Sequence, residues 1–600
     1  MNSEHAENSN AQQDLHTLSV VNGELVQLSD DRVVRPPADR ILALYRESPS
    51  EFLENTTVKV SAKTLEVFVR ITGLLPDNLK ISLAAKKGQL VIDLPTAETV
   101  GIVIGARWYA AEPGSLEQSL SVLKSINIPV GNTFSFGDYL DITSRAIAQS
   151  RVIDETSVSA PNTLSSDAID FKALGLVLDL YPYQQVGAEF MVAMADRGIG
   201  TLLADQMGLG KTAQAIALIL SQIHLGKTLI ICPASLSTNW IRELAQFAPT
   251  ISACIHAGPV RTGIIEGFAA FDVVITSYET LVSDIGFMSD YDWRLVILDE
   301  AQSIRNPNTQ RAICAKRLSR HISVAITGTP VENTLLDAWS ISEFVLPILL
   351  GRKEEFRESF PDELDGARAL GNILAPVLIR RLVSDVAQDL PSLIQHPVAL
   401  ELNSALQVKY ADIIDDAHSL FAATTALRIL CAHSKEEYFS YEYSKIERCT
   451  NIISEIISNK EKVLVFASFQ EVLDSLFTLY SSTFPEVFIG VIDGRVSPTD
   501  RQEAIDSFQG FIGSGILLMN PQAAGVGLNI TAANHVIHFN PEWNPALTAQ
   551  ATARAYRRKQ ELPVSAHHLF YINSIEEDAI NRAEWKRALA DSLDDGSQEE

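Results

Sequence analysis

Residues 200–212 read GTLLADQMGLGKT and lead into an apolar stretch, 213–220, of helical composition. Gly208 and Gly210 let backbone N–H groups turn inward, and a helix starting at that point aims the positive end of its dipole at the same spot. The result is a grip for phosphate oxygens. Lys211 is placed to reach the outer phosphates of a polyphosphate, and Thr212 to offer its hydroxyl to Mg2+. Asp205 stands where a generic phosphate loop has its first glycine, so the segment alone also fits a glycine-rich turn before a helix. Further on, 295–302 reads LVILDEAQ, an apolar strand ending in two carboxylates. There Asp299 is suited to hold a metal and Glu300 to polarise an attacking water. Paired acids after a strand are often just a solvated turn, but their order after Lys211 favours chemistry. Together these side chains describe cleavage of a metal-bound polyphosphate such as ATP.

Such residues need rigid strand ends to hold them. Apolar runs at 228–232, 273–276, 295–298 and 324–327 alternate with helical stretches, the pattern of a parallel sheet covered by helices. A second set follows at 463–466, 487–492, 515–519 and 536–539, which implies two α/β lobes in tandem. We place the first lobe at 176–345, a helical inter-lobe region at 346–445, the second lobe at 446–585 and an acidic tail at 586–600. Ahead of them, 1–55 reads as a flexible lead-in with one short helix. Alternating apolar residues from Val58 and a helical spacing at Leu116, Leu120 and Leu123 give a small α+β domain at 56–150. Trp108 and Tyr109 in that domain read as core. Residues 151–175, rich in Ser, Thr, Asn and Asp, read as a linker.

The 600 residues carry a formal charge of −26, which argues against a protein that coats nucleic acid by long-range attraction but leaves room for local phosphate contacts. Five cysteines with no Cys-x-x-Cys pair indicate neither a disulfide framework nor a zinc ribbon, and Cys431 with His433 reads as helix packing. No apolar run is long enough for a membrane-spanning helix, and the polar start is unlike a secretory signal. The expectation is a cytoplasmic protein, nucleoid-associated if bacterial, without a membrane partner.

With the order of these motifs in view, residues 176–580 resemble the Swi/Snf-type ATPases of helicase superfamily two. Residues 180–184 (LYPYQ) are similar to that family's adenine-recognition segment, which implies that Gln184 reads the base. Residues 231–240 (ICPASLSTNW) and 276–279 (TSYE) resemble its motifs that touch a DNA strand, implying contacts from Ser235, Thr276 and Ser277. Residues 327–333 (TGTPVEN) are similar to the motif that couples hydrolysis to lobe movement. In the second lobe, 525–529 (GVGLN) and 543–545 (WNP), with Trp543 as a DNA contact, continue the likeness. It closes with 550–560 (QATARAYRRKQ), which puts Arg554 and Arg557 on one helical face as arginine fingers. Residues 379–381 (IRR) and 389–391 (DLP) look like its bracing segment. The resemblance implies two RecA-like lobes, a phosphate cradle at Asp205, Gln206, Met207, Gly208, Leu209, Gly210, Lys211 and Thr212, the cofactors ATP and Mg2+, and double-stranded DNA as partner.

The chain departs from the family's pattern at Gln206 for glutamate, Val383 for lysine, Asn540 and Ala553 for aspartate, and Tyr556 for histidine. The chemical residues survive, so the expectation is an active translocase whose coupling to DNA is altered. The alternative is a nucleotide-gated interaction module with weak turnover, part of a larger DNA-processing or phage-defence system, recruiting a protein partner through the N-terminal domain. Strand separation is a narrower possibility, with no pin segment recognisable.

Overall fold

Strands that are aliphatic on both faces must sit at the centre of a sheet clothed by helices on each side. The computed structural model describes residues 18–595 except 30–31, 76–77, 127–132, 135, 137, 140–141, 143–150, 159–167, 260, 348, 388–389, 434–443, 523–529 and 559. Two compact units divide the chain, Met1–Ala160 and Pro161–Glu600.

The first unit contains more regular structure than its sequence suggested. Residues expected as a flexible lead-in form an antiparallel meander of β1 (Leu18–Val21), β2 (Glu24–Ser29) and β3 (Arg32–Val34), followed by two helices, Ala38–Glu47 and Pro49–Thr56. Leu18, Leu25, Ile41, Leu44 and Phe52 pack together with Trp108, and that shared apolar cluster is why the segment folds. Next come β4 (Lys59–Val60), β5 (Glu66–Leu75), β6 (Leu79–Lys87), β7 (Leu90–Asp93), β8 (Gly101–Ile104) and β9 (Arg107–Ala110). The helix Pro113–Ile126, β10 (Thr133–Phe134) and β11 (Val152–Val158) complete the unit. One sheet runs β10–β6–β5–β11 with β7 on β6, and a smaller one runs β4–β9–β8. β11 falls where a linker was expected; it pairs in parallel with β5, Val152 opposite Val69, so the accessory fold extends past residue 150.

The second unit holds both lobes. Its first sheet is built from β12 (Thr201–Leu203), β13 (Thr228–Cys232), β14 (Ala253–His256), β15 (Val273–Ser277), β16 (Trp293–Asp299), β17 (Arg320–Ile326) and β18 (Leu378–Ile379). All pair in parallel, in the order β14–β15–β13–β16–β17–β12–β18. Register decides what this sheet can position. Leu203 and Asp299 both stand opposite Ile326, so β12, β16 and β17 end level and their following loops meet. The second sheet takes β19 (Leu393–Leu400), β20 (Lys462–Phe466), β21 (Phe488–Ile492), β22 (Gly515–Met519), β23 (His535–His538) and β24 (Val564–Tyr571), ordered β19–β24–β23–β20–β22–β21 and again parallel.

Two further differences concern the connections. The inter-lobe region is not purely helical: β18 adds an edge to the first sheet and β19 an edge to the second. Residues 586–595, expected in an acidic tail, continue the helix Ile575–Asp595. Leu589 and Leu593 are buried there against Leu370 and Leu374 of the inter-lobe helix Leu364–Leu374. The buried leucines anchor that half of the helix, which a composition reading of the tail does not separate from its acids.

Candidate active site

The loop after β12 turns through Gly208 and Gly210, both at positive φ (92° and 72°), and Lys211 opens the helix Lys211–Gln222. Those dihedrals are open to glycine at little cost, and they carry the chain over the helix N-terminus. Lys211 Nζ donates to the Asp205 carbonyl at 2.8 Å. Burial in the cleft lowers the lysine's pKa, opposed by Glu300, Asp205 and Asp299. The Asp205 carboxylate does not line the grip. It is wholly buried and accepts from Arg381 Nε at 2.9 Å, Arg381 Nη2 at 2.6 Å and Gln214 Nε2 at 2.9 Å. The non-glycine at that position thus ties the phosphate loop to the segment after β18. Gln206 joins in: its N–H donates to the Arg381 carbonyl at 2.9 Å and its Oε1 accepts from Val383 N at 2.7 Å. Only a carbonyl-type oxygen is used there, so glutamine serves as well as glutamate. Arg381, which the sequence placed only in a bracing segment, holds the loop through Asp205 and Gln206.

Gln184 is buried with its amide spoken for. Oε1 accepts from Tyr181 N at 3.0 Å and Nε2 donates to the Leu209 carbonyl at 2.9 Å, so in this structure it props the loop. Across β16, Asp299 Oδ2 accepts from Trp240 Nε1 at 2.8 Å and Oδ1 from Glu300 N at 3.0 Å. Burial and the adjacent Glu300 push the Asp299 carboxyl up to about 7. Glu300 takes a left-handed backbone, φ 50°, which a non-glycine adopts at a cost.

A hydrogen-bonded chain leaves Glu300. Gln302 Nε2 donates to Glu300 Oε2 at 2.7 Å, and Thr327 Oγ1 donates to Gln302 Oε1 at 2.9 Å. Thr329 N donates to Thr327 Oγ1 at 3.0 Å, and Thr329 Oγ1 to Glu332 Oε1 at 3.2 Å. Asn544 Nδ2, from the second lobe, donates to Glu332 Oε2 at 3.2 Å, while Arg305 ion-pairs with the same carboxylate. Gln302 and Glu332 carry no sequence signal of this role beyond lying inside the motifs.

Arg554 and Arg557 come from the second lobe, but not on a helical face. The helix Pro545–Thr552 ends at Ala553, and turns follow. Ile530 N donates to the Arg554 carbonyl at 3.0 Å and Gln560 Nε2 to the Ala555 carbonyl at 3.1 Å, diverting groups that a continuing helix would use. Arg557 lies over the phosphate loop, its Cβ 3.6 Å from where a side chain at Gly208 would begin. Burial lowers the pKa of both guanidinium groups, Arg554 to about 10, with Glu300 opposing at Arg554 and Glu243 at Arg557. Glu243, missed from sequence, accepts from Asn239 Nδ2 at 2.9 Å, and burial raises its pKa with Asn239, Arg557 and Thr212 opposing. Tyr556 packs with Leu209, Tyr183 and Val383, so it contributes an apolar contact where histidine would offer a polar one. A cavity of about 700 Å3 lies beside these groups, lined by Gln206, Met207, Thr329, Ala553 and Tyr556 among others.

The expected DNA contacts fare differently. Ser235 is exposed after β13. Thr276 is buried and donates to the His256 carbonyl at 3.0 Å; Ser277 caps the helix Tyr278–Met288, accepting from Thr280 N at 3.1 Å. Trp543 carries the Arg582 guanidinium 5.2 Å from its ring centre. Residues 525–529 lie outside the described residues. Cys431 and His433 are buried, and His433 Nε2 meets the Tyr571 hydroxyl at 3.0 Å. Among the described residues no helix is long and apolar enough to cross a membrane.

Two RecA-like lobes, a phosphate loop on one and arginines of the other set over it, define the class as a tandem-lobe nucleotide-binding core. Residues 183–456 match the SNF2-related domain and residues 444–559 the helicase conserved C-terminal domain. The chain belongs to the Snf-type ATPases of helicase superfamily two. It is similar to an uncharacterized ATP-dependent helicase of Mycoplasma pneumoniae, 34% identical over 421 residues covering 67% of this chain and 41% of the relative. It is also similar to the putative ATP-dependent helicase/translocase YwqA of Bacillus subtilis, 32% identical over 450 residues covering 69% and 48%. The chain therefore spans somewhat less than half the length of these curated relatives. Among solved structures, the Sulfolobus solfataricus SWI2/SNF2 ATPase core in complex with dsDNA is similar at 29% identity, covering 70% of this chain and 94% of that one, with a TM-score of 0.37.

Proposed function

We propose that the chain hydrolyses ATP and uses the cycle to move along double-stranded DNA or to remodel complexes on it. The observation that carries this reading is the placing of Arg557 over the phosphate loop, with Arg554 near Glu300, because a site completed by both lobes makes chemistry depend on their closure. Lys211 and residues 205–212 hold the phosphates, Glu300 orients the attacking water, and Arg554 and Arg557 take up charge that develops on the transferred phosphoryl group. Asp299, its carboxyl pushed up to about 7 by burial and the adjacent Glu300, carries negative charge that a hard divalent cation would compensate. Bound Mg2+ would supply positive charge to the phosphate oxygens. Gln184 would turn from the Leu209 carbonyl to the base. Duplex DNA would contact the exposed Ser235 first, with Trp543 on the other lobe and Thr276 and Ser277 framing their strand ends. A cytoplasmic place at the nucleoid accords with this reading.

ATP turnover measured with and without duplex DNA at low salt tests it. Stimulation is expected, along with its loss in Lys211→Ala and Arg557→Ala; unstimulated wild-type turnover, or normal turnover in either variant, overturns it. A second reading, a nucleotide-gated module that recruits a protein partner, draws on exposed Val20, Val33 and Val34 on the N-terminal meander. Tight ATP binding with no turnover on DNA would favour it.

A further inference from the structure

Two arginines of the first unit are paired with carboxylates. Arg35 meets Glu24 and Glu98, and Arg70 meets Asp93 and Glu155. One patch does the opposite. Lys87 Nζ donates to the Tyr109 hydroxyl at 2.7 Å and lies 4.3 Å from the ring centre. Arg107 also bears on that hydroxyl, whose pKa is lowered chiefly by the Lys87 hydrogen bond. On the neighbouring strand Lys59 stands directly opposite Arg107. Two cations thus bear on one phenol oxygen, at the mouths of two tight hairpin turns, and a third, Lys59, stands across from one of them. The turns pass through Gly88 and Gly105, each with φ 63° and open space where a side chain would be. Lys59, Lys87 and Arg107 have no carboxylate partner among the described residues, and the carboxylate of the adjoining strand, Glu66, stands opposite Lys86.

Burying the Tyr109 ring in the core fixes the hydroxyl, so the site is held by packing and not only by mobile lysines. An acceptor-rich anion is what such a set lacks: two or three N–H donors with positive charge and one O–H on a rigid stem. In a chain of formal charge −26, long-range attraction cannot bring nucleic acid to this face, so local contacts of this kind would have to do it. We propose that Lys59, Lys87, Arg107 and Tyr109 form a sequence-independent binding surface for the phosphodiester backbone of nucleic acid, separate from the nucleotide-driven core. The surface needs no ATP, and it would hold whether or not the core translocates.

The test is nucleotide-free binding of the full chain to a fluorescein-labelled random-sequence DNA duplex, followed by anisotropy from 50 to 200 mM KCl. Removing one cation that neutralises a phosphate should lower the slope of log K against log salt by about 0.9. The variant Lys87→Gln with Arg107→Gln is expected to lower the slope by about 2 and weaken binding at 50 mM salt. Lys59→Gln alone, which alters an exposed side chain, should lower it by about 1 and guards against a folding defect in the double variant. Unchanged slopes in Lys59→Gln and in a double variant with wild-type circular dichroism would overturn the proposal. So would loss of affinity for a poly-glutamate peptide with duplex binding intact, which would mark an acidic protein as the ligand. Because ATP is absent, a core that fails to be stimulated by DNA leaves this readout standing.

Discussion

Arg381→Met should loosen the phosphate loop from outside the nucleotide site. The Asp205 carboxylate it leaves is fully buried, and of the three hydrogen bonds that carboxylate accepts only the one from Gln214 would remain. Arg381 also donates to Gln214 Oε1 at 2.7 Å and to the Tyr183 carbonyl, so two more acceptors are stranded. Removing one partner of a buried ion pair costs about 3–5 kcal/mol, mostly through the charge left behind. The Arg381 side chain is 16% exposed, which admits some water and puts the expected loss near the lower end, about 3 kcal/mol. Urea unfolding followed by tryptophan emission reads the loss, and fluorescent ATP binding reads the loop. Asp205→Asn in the Arg381→Met background removes the stranded charge and should restore at least about 1 kcal/mol. Gly187→Ala offers an independent approach, since a Cβ there would collide with Gln214 Oε1 and crowd the Arg381 guanidinium. If Arg381→Met unfolds within about 0.5 kcal/mol of the parent, or the second substitution brings no recovery, the bracing argument is wrong.

Gln302→Ala and Asn544→Ala each cut the chain of hydrogen bonds from Glu300 to the second lobe. ATP turnover should fall by up to about 10²-fold while ATP affinity holds, as steady-state and binding assays would show. Leu593→Ala empties a buried site between the C-terminal helix and Leu370 and Leu374, with a cost of about 2–5 kcal/mol in denaturant unfolding. Burial, with neighbouring His396 and His535, lowers His567 to about 4; burial, with Arg587 and His396, does the same for His568. An imidazole near 6.5 when unfolded takes up its proton first in the unfolded chain, so stability is complete above pH 6.5 and declines as pH falls toward 4. Thermal unfolding at pH 7.5 and 5 should show that decline, reduced in His567→Gln; an equal decline in the variant would refute it.

Much of the core was legible in linear order because the physics that builds it is local. Apolar runs such as 228–232 are buried on both faces and can be little else than central parallel strands. Gly208, Gly210 and Lys211 announce a phosphate grip because the turn, the helix N-terminus and the cation lie within four residues of one another. Other features depended on partners far away in sequence. Three strands and two helices within residues 18–56 look polar and weakly helical until Trp108 supplies the shared core. β11 became a strand through β5, and the helix Ile575–Asp595 gained its second half through leucines of the inter-lobe helix Leu364–Leu374. Asp205 looked like a flaw in the phosphate loop, and its partner Arg381 lies 176 residues on. The sequence by itself determined the types of the reacting groups and the strands that carry them. Only the tertiary structure decided which carboxylates are occupied, that the arginines sit on turns, and that Glu300 is wired to the other lobe, because burial and hydrogen-bond partners are set by contacts between distant segments.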